Sequence, residues 1–365
     1  MDIAFFGYHG SFDYQNIGGT NSMIRRLSTE IIGRGNNKVD YILYGGENKE
    51  IKHQSNFFSR YYENLGDALL QLKNYDHVII IYFPPLDVLP IKKFLSKKNG
   101  STFFHILYLE WPESIIKRKL KFELGKLLPI NGISFTISYR LFNYVKQWDK
   151  RVILFFPPVS QDFFIPLTEK ELPGKIRVTF IGRIDHGKGV PDVIKLFKKL
   201  AQRDDIELSF YGIHWEHDTS VVALHNYLIT QKLFKFVSVP FKKWTPDTDL
   251  MVQSALKQTD IFLQPYQKLS STIDTPLLLL EAMASLCPVV TKPYGNIPDL
   301  YPSTRCIIDD KHFWNNIEPL INSAHEWMSD EWKLINKQNK TLSFDTKSIC
   351  DTFIRALQNV SEGVK

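Results

Sequence analysis

The chain has 365 residues, 44% hydrophobic and 23% charged, with a formal charge of +6. These figures exclude a disordered chain and fit two moderate domains better than one core, while nucleic-acid binding lacks both the charge and a basic-aromatic stripe. Cys287, Cys306 and Cys350 have no metal-ligand spacing, so reduced thiols in a cytoplasmic protein are expected.

Residues 2–8 read as a buried first strand. They lack the basic n-region of a signal peptide. No apolar run reaches the ~18–20 residues of a membrane span. Residues 21–32 carry Met23, Ile24, Leu27, Ile31 and Ile32 on one helical face. A strand over 39–44, a helix over 65–72 and strands over 77–83, 102–109 and 152–156 follow. The second half repeats the alternation. Strands are expected over 176–181, 206–211, 237–239, 261–263 and 288–291, with helices over 189–201 and 277–285. Alternating helices and fully apolar strands imply parallel sheets covered on both faces. Two such blocks imply two doubly wound α/β domains, 1–158 and 159–345, separated near Pro157-Pro158. Residues 346–365 form a terminal helix that is free to return to the first domain.

The chemistry concentrates in Ile181-Gly182-Arg183-Ile184-Asp185-His186-Gly187-Lys188-Gly189. A strand runs into a glycine, a turn and a helix, and ligands bind at the carboxyl ends of such strands. Gly182 allows close approach to the backbone. Arg183 offers a planar fork and Lys188 a point charge to one anionic ligand. A pair of solvated loop cations is the other reading. A second motif, Asp274-Thr275-Pro276-Leu277-Leu278-Leu279-Leu280-Glu281-Ala282-Met283-Ala284, enters a buried helix with Pro276 at its first position. The N–H groups of Leu277 and Leu278 suit a phosphate there. Glu281 in that apolar helix needs a partner, either a cation or a pair of sugar hydroxyls.

Together, Gly182-Arg183, Lys188-Gly189, Glu281-Ala282-Met283-Ala284 and Pro288-Val289-Val290 resemble the large retaining GT-B glycosyltransferases, the group 1 or family 4 type. The first half is similar through Ile17-Gly18-Gly19-Thr20, the family's glycine-rich loop, and Thr102-Phe103-Phe104-His105, a strand ending in a histidine that faces the donor sugar. The resemblance implies two Rossmann-like domains facing a central cleft. It implies a hexosyltransferase moving a sugar from a nucleotide-diphosphate donor, with UDP favoured, and with retention at the anomeric carbon. Arg183 and Lys188 would hold the diphosphate, Glu281 the ribose and backbone near Val239 the base. Gly18 and Gly19 would approach the phosphates, and His105 would join the catalytic set. No cofactor or metal is implied. Asp247-Thr248-Asp249 reads as a helix start rather than a cation site.

One departure stands out. The family's second glutamate, eight positions before Glu281, is Ile273 here, and Asp274 is the nearest substitute for a sugar contact. A catalytically silent homologue that binds an active transferase is therefore the alternative. The expected acceptor is a saccharide or lipid-linked saccharide of a bacterial surface polysaccharide. Residues 114–128 are basic and amphipathic, with Ile116, Leu120, Leu124 and Leu127 on one side. They pose two readings: an apolar side on the core, or a peripheral contact with the anionic inner face of the cell membrane. A second lysine cluster comprises Lys92, Lys93, Lys97 and Lys98. Tyr108, Glu110 and Trp111 are candidates for the acceptor side.

Overall fold

The structure is a computed structural model and describes residues 1–97, 101–112, 114–214, 221–241, 244–267 and 272–362. Lys98 therefore lies outside the described residues, and the terminal helix is described as far as Glu362. The chain forms two compact units. The first comprises Met1–Pro158, Ile273–Thr275 and Phe344–Lys365, and the second Val159–Thr272 and Pro276–Ser343. Among the described residues, no helix is long and apolar enough to cross a membrane.

In chain order the first unit contains β1 (Asp2–Tyr8), α1 (Gly19–Gly33), β2 (Lys38–Tyr44), β3 (Lys49–Gln54), β4 (Phe57–Tyr62), α2 (Leu65–Gln71) and β5 (His77–Tyr82). It continues with α3 (Val88–Ser96), β6 (Phe103–Tyr108), α4 (Ile115–Lys126), β7 (Ser134–Thr136), α5 (Tyr139–Val145) and β8 (Val152–Leu154). The sheet order is β3-β4-β2-β1-β5-β6-β7-β8. All neighbours are parallel except the β3–β4 pair. That antiparallel edge is absent from the sequence reading. β3 is Lys-Glu-Ile-Lys-His-Gln and largely exposed, so it carries no apolar run, and its charges blunt the sheet edge.

The second unit contains β9 (Ile176–Arg183), α6 (Val190–Leu200), β10 (Ile206–His214), α7 (Val222–Thr230), β11 (Lys235–Pro240), α8 (Pro246–Lys257), β12 (Ile261–Gln264), α9 (Leu277–Ala284) and β13 (Val289–Thr291). Three further helices follow: α10 (Ile297–Leu300), α11 (Phe313–Asn322) and α12 (Ala324–Leu342). Its sheet, β11-β10-β9-β12-β13, is wholly parallel. Its strands are buried on both faces at β9 and β12, which explains their continuous apolar sequence. The last helix, α13 (Thr346–Glu362), belongs to the first unit and packs on α1. Phe353 of α13 stacks on Phe5 and contacts Phe135 and Phe155.

Two readings at helix level change. Pro276 is the N-cap of α9 rather than its first helical residue, with φ −63° and ψ 124°. α4 buries Phe122 and Gly125, whereas Ile115, Ile116, Leu120 and Leu127 face solvent. The reading with the apolar side on the core is thus overturned. Phe122 packs against Tyr108, Trp111, Tyr144 and Trp148, and one large ring in an aromatic cluster outweighs a stripe of smaller side chains.

Candidate donor site

The order of the second sheet turns around β9, which has β10 on one side and β12 on the other. A ligand crevice belongs at the carboxyl end of such a switch point. Arg183 is the last residue of β9 and stands in register with Ile213, which stands in register with Val239. Gly182 lies one step back, opposite Gly212. The sheet thus lines up Arg183 and Val239 along one edge. α9 runs from the β12 side back to β13, so its first residues, Leu277 and Leu278, start from that same edge.

The turn after Arg183 is tightly built. Asp185 caps it by accepting the Lys188 N–H at 2.8 Å, and its carboxylate also pairs with Arg183 at 3.2 Å. Gly187 O accepts from Gln267 N–H at 2.8 Å, which fastens the turn to the segment after β12. Gly189 has φ 76°, and a Cβ there would stand 2.6 Å from Pro265 O, so no other residue fits without strain. Lys188 is buried, with Nζ 3.7 Å from the centroid of the Tyr266 ring. Burial, and then the Arg183 charge, push its pKa down to about 7, against the opposing pull of Asp185. An anionic ligand entering here would meet a cation already stripped of water, where charge pairing is strong.

Glu281 is buried in α9 at 3% exposure. Lys292, directly after β13, is also buried and pairs with Asp310 at 2.6 Å and Gln267 Oε1 at 3.0 Å. Beside Val239, Ser238 Oγ lies 3.0 Å from His214 Nδ1 and 2.8 Å from His225 Nε2, and the two rings stack at 4.2 Å. Sequence reasoning missed Tyr266, Gln267 and Lys292. The available signal was their position, since each comes shortly after the carboxyl end of a strand of this sheet, β12 for Tyr266 and Gln267 and β13 for Lys292.

Other expected residues belong to the first unit or to surface turns. Gly18 is the N-cap of α1 and Gly19 its first residue, in the first unit. Asp274 belongs to the first unit too, and its buried carboxylate is already committed. Arg140 donates to it from Nε at 2.7 and 2.8 Å and from the guanidinium end, and Ser138 donates its hydroxyl. The Asp274 charge is neutralised by Arg140. His105 requires a correction. β6 does not end at it but runs on to Tyr108, so the imidazole sits in the early part of the strand and is fully buried. Its Nδ1 accepts from Ile133 N–H at 3.0 Å and its Nε2 lies 3.1 Å from His77 Nδ1. With both nitrogens bonded and no exposed edge, the ring serves the core. Tyr108 is likewise core, whereas Glu110 pairs with Lys121 and Trp111 with the α4 aromatic cluster. Asp247 and Asp249 lie in the first turn of α8, below a box formed by Thr245 and Thr248.

The chain has the GT-B fold. It superposes on the Anabaena protein Alr3699/HepE in complex with UDP-glucose, with a TM-score of 0.68 at 12% identity over 98% of this chain and 100% of that one. The catalytic domain of Starch Synthase IV from Arabidopsis thaliana, bound to ADP and acarbose, gives 0.63 at 10% identity over 99% of each chain. A glycosyltransferase from Rickettsia africae gives 0.64 at 12% identity over 98% of each. No curated protein sequence matches the chain. Residues 175–323, which span β9 to α11, match the family described as Glycosyl transferases group 1. The second unit thus carries a domain that matches the group 1 glycosyltransferases.

Proposed function

We propose that the protein transfers a hexose from a nucleotide-diphosphate donor, UDP-linked by preference, to a glycan or glycolipid acceptor, with retention and without a metal. The observation that carries this reading is the placement of Arg183 and a buried Lys188 on one turn at the carboxyl end of β9, with Asp185 pairing the first and capping the backbone N–H of the second. Two cations fixed at a switch point suit a diphosphate and take over the charge stabilisation that a metal supplies elsewhere. The first turn of α9 adds backbone donors, Glu281 holds the ribose, and the edge near Val239 faces the base. The UDP-glucose bound to the Anabaena protein makes UDP the first nucleotide to try. The acceptor is assigned to bacterial surface polysaccharide synthesis on the inner face of the membrane.

The test is a panel of UDP-, GDP- and ADP-sugars incubated with the full chain, with and without EDTA, followed by NMR of the product anomer. Turnover that survives EDTA and keeps the donor configuration is expected. Turnover only with added divalent cation, or an inverted product, would overturn that part of the reading. A second reading has its own observation. Ile273 is apolar and Asp274 is neutralised by Arg140, so a silent homologue that binds nucleotide and assists an active transferase is the alternative. UDP binding with no turnover of any donor would select it.

The membrane contact is carried by α4. Ile115 and Ile116 are 70% and 81% exposed, and Lys117, Lys119 and Lys126 stand on the same helix. An apolar tip flanked by lysines matches an anionic bilayer, each lysine adding about 1 kcal/mol. Flotation with phosphatidylglycerol vesicles should carry the protein up at low salt, and Ile116→Asp should leave it at the bottom. Equal flotation of both would sink the contact.

A further inference from the structure

β12 ends at Gln264, and the chain turns at once, with Tyr266 N–H bonding back to Gln264 O at 3.0 Å. Thr291 Oγ1, on β13, donates to the same carbonyl at 3.0 Å. One residue on, Gln267 N–H bonds Gly187 O, its Oε1 accepts from Lys292, and its Nε2 donates to Asp192 at 3.3 Å. The turn that carries Lys188 closes on this segment, since only glycine at 189 clears Pro265 O. The backbone of Tyr266 is therefore pinned on both sides. Its ring is pinned as well. Gln264 Nε2 donates to Tyr266 OH at 3.0 Å, and Tyr294 meets the ring edge-on with centroids 5.5 Å apart. Gln264 and Tyr266 are both buried. Burial raises the phenol well above its ordinary pKa, so the ring stays neutral and its face electron-rich.

Lys188 stands over that face. Its Nζ lies 3.7 Å from the ring centroid, well inside the ~6 Å reach of a cation–π contact. The charges acting on it are those of Arg183 and Asp185, both on its own turn, and Tyr266 is the titratable group facing it from the segment after β12. Asp185 is committed to Arg183 and to the Lys188 backbone N–H. A lysine stem has many rotamers, and a buried amine against an aliphatic wall has no reason to keep one of them. A flat, electron-rich face fixes the amine above the ring and offsets part of the desolvation that favours its neutral form.

We infer that Tyr266 is a positioning residue for the donor: its ring face seats the Lys188 ammonium where the diphosphate arrives, and Gln264 fixes the ring. The inference rests on the donor reading above. It separates the two cations of the turn by role. Asp185 offsets the charge of Arg183, whereas a ring holds Lys188 without cancelling its charge. A cation held in place before the ligand comes binds it with less loss of freedom. At low pH the ring acts on the ammonium with and without ligand, so it leaves affinity unchanged. Above about 7 the free amine is neutral, donor binding takes up a proton, and a weaker ring face makes that proton harder to hold.

The test is calorimetric binding of UDP to the full chain at about pH 5.5 and about pH 8.5, on either side of the Lys188 titration. Position 266 is compared as tyrosine, as Tyr266→Phe, and as a phenylalanine carrying three ring fluorines, which keep the ring's shape and withdraw electron density from its face. Tyr266→Phe should melt at a lower temperature, because Gln264 Nε2 loses its acceptor, yet keep the wild-type pH dependence of UDP affinity. The fluorinated ring should bind UDP roughly tenfold more weakly than Tyr266→Phe at the higher pH and equally well at the lower one. Equal affinity of those two rings at the higher pH, or an equal loss at both pH values, overturns the positioning role alone. Wild-type protein that binds no UDP, or Lys188→Met that binds it as tightly as wild type, overturns the donor reading and the seat with it.

Discussion

Lys188 is an ammonium group kept against the face of Tyr266 rather than in water. That position favours the neutral amine, and an arriving diphosphate restores the proton. Its pKa of about 7 in the free protein predicts that kcat/KM for the donor falls as pH rises above about 7. Lys188→Arg, which cannot lose its charge in this range, should extend activity to higher pH at a lower maximum rate, and an unchanged limb in that variant would refute the assignment. Arg183→Ala and Lys188→Ala should each cost about 3–4 kcal/mol of transition-state stabilisation, read as ~100-fold or more in turnover. Stability moves the opposite way. An unfolded lysine titrates near ~10.4. Between there and about 7 the unfolded chain holds a proton that the folded chain has shed, so stability rises with pH across that window. Lys188→Met should therefore raise the melting temperature at pH 7 more than at pH 10. The spacing of Arg183 and Lys188 made this pair legible in the sequence. Tyr266 was not, because periodicity says nothing about which distant loop meets a given side chain.

At the scale of elements, sequence periodicity located helices and left their orientation open. The stripe of Ile116, Leu120 and Leu127 on α4 is evident in the chain, but the side that docks is chosen by Phe122 and its ring neighbours. His105 shows the same limit. Its motif matched, but its partner His77 lies on β5, a strand with no motif of its own. Together the two rings order a hydrogen-bond chain. Ile133 N–H donates to His105 Nδ1, so the proton of His105 sits on Nε2 and points to His77 Nδ1. His77 Nε2 then reaches Ser361 Oγ on α13 at 3.4 Å. Burial pushes His77 down to about 4, and burial with the neighbouring His77 and Arg151 charges pushes His105 well below its ordinary value. Unfolded histidines titrate near ~6.5. Below that pH the unfolded chain binds protons the folded chain refuses, so this contribution is intact at neutral pH and is lost as pH falls toward about 4. The melting temperature should drop between pH 7 and pH 4. His77→Phe should flatten that slope, and a slope identical to wild type would remove the histidine pair as its cause.

For the whole molecule, the division into units is less simple than one boundary near Pro158. The first unit recruits Ile273–Thr275 and Phe344–Lys365 from far along the chain. Thr275 Oγ1 donates to Ile137 O at 2.6 Å, Asp274 N–H bonds Leu109 O at 2.9 Å, and the Asp274 carboxylate neutralises Arg140. Phe353 closes the ring cluster of Phe5, Phe135 and Phe155. Proline and strand patterns mark where a chain leaves a core; the terminal helix was left free to return and does, whereas Ile273–Thr275 carry no local signal of their destination. The consequence is an asymmetry between fragments. Removing a buried phenylalanine alone costs about 3–5 kcal/mol, against a total stability of about 5–15 kcal/mol for a domain. A fragment of residues 1–158 loses Phe353 with all of α13, and also the carboxylate that balances Arg140. It should express as an aggregating, non-cooperative species. A fragment of residues 159–343 keeps its whole sheet, Arg183, Lys188 and Glu281 in one stretch of chain, and should melt cooperatively and bind UDP in calorimetry. Supplying residues 344–365 through a short linker to 1–158 should recover part of the first unit's solubility. A cooperative melt for 1–158 by itself would mean that the returning segments decorate the first unit rather than complete it.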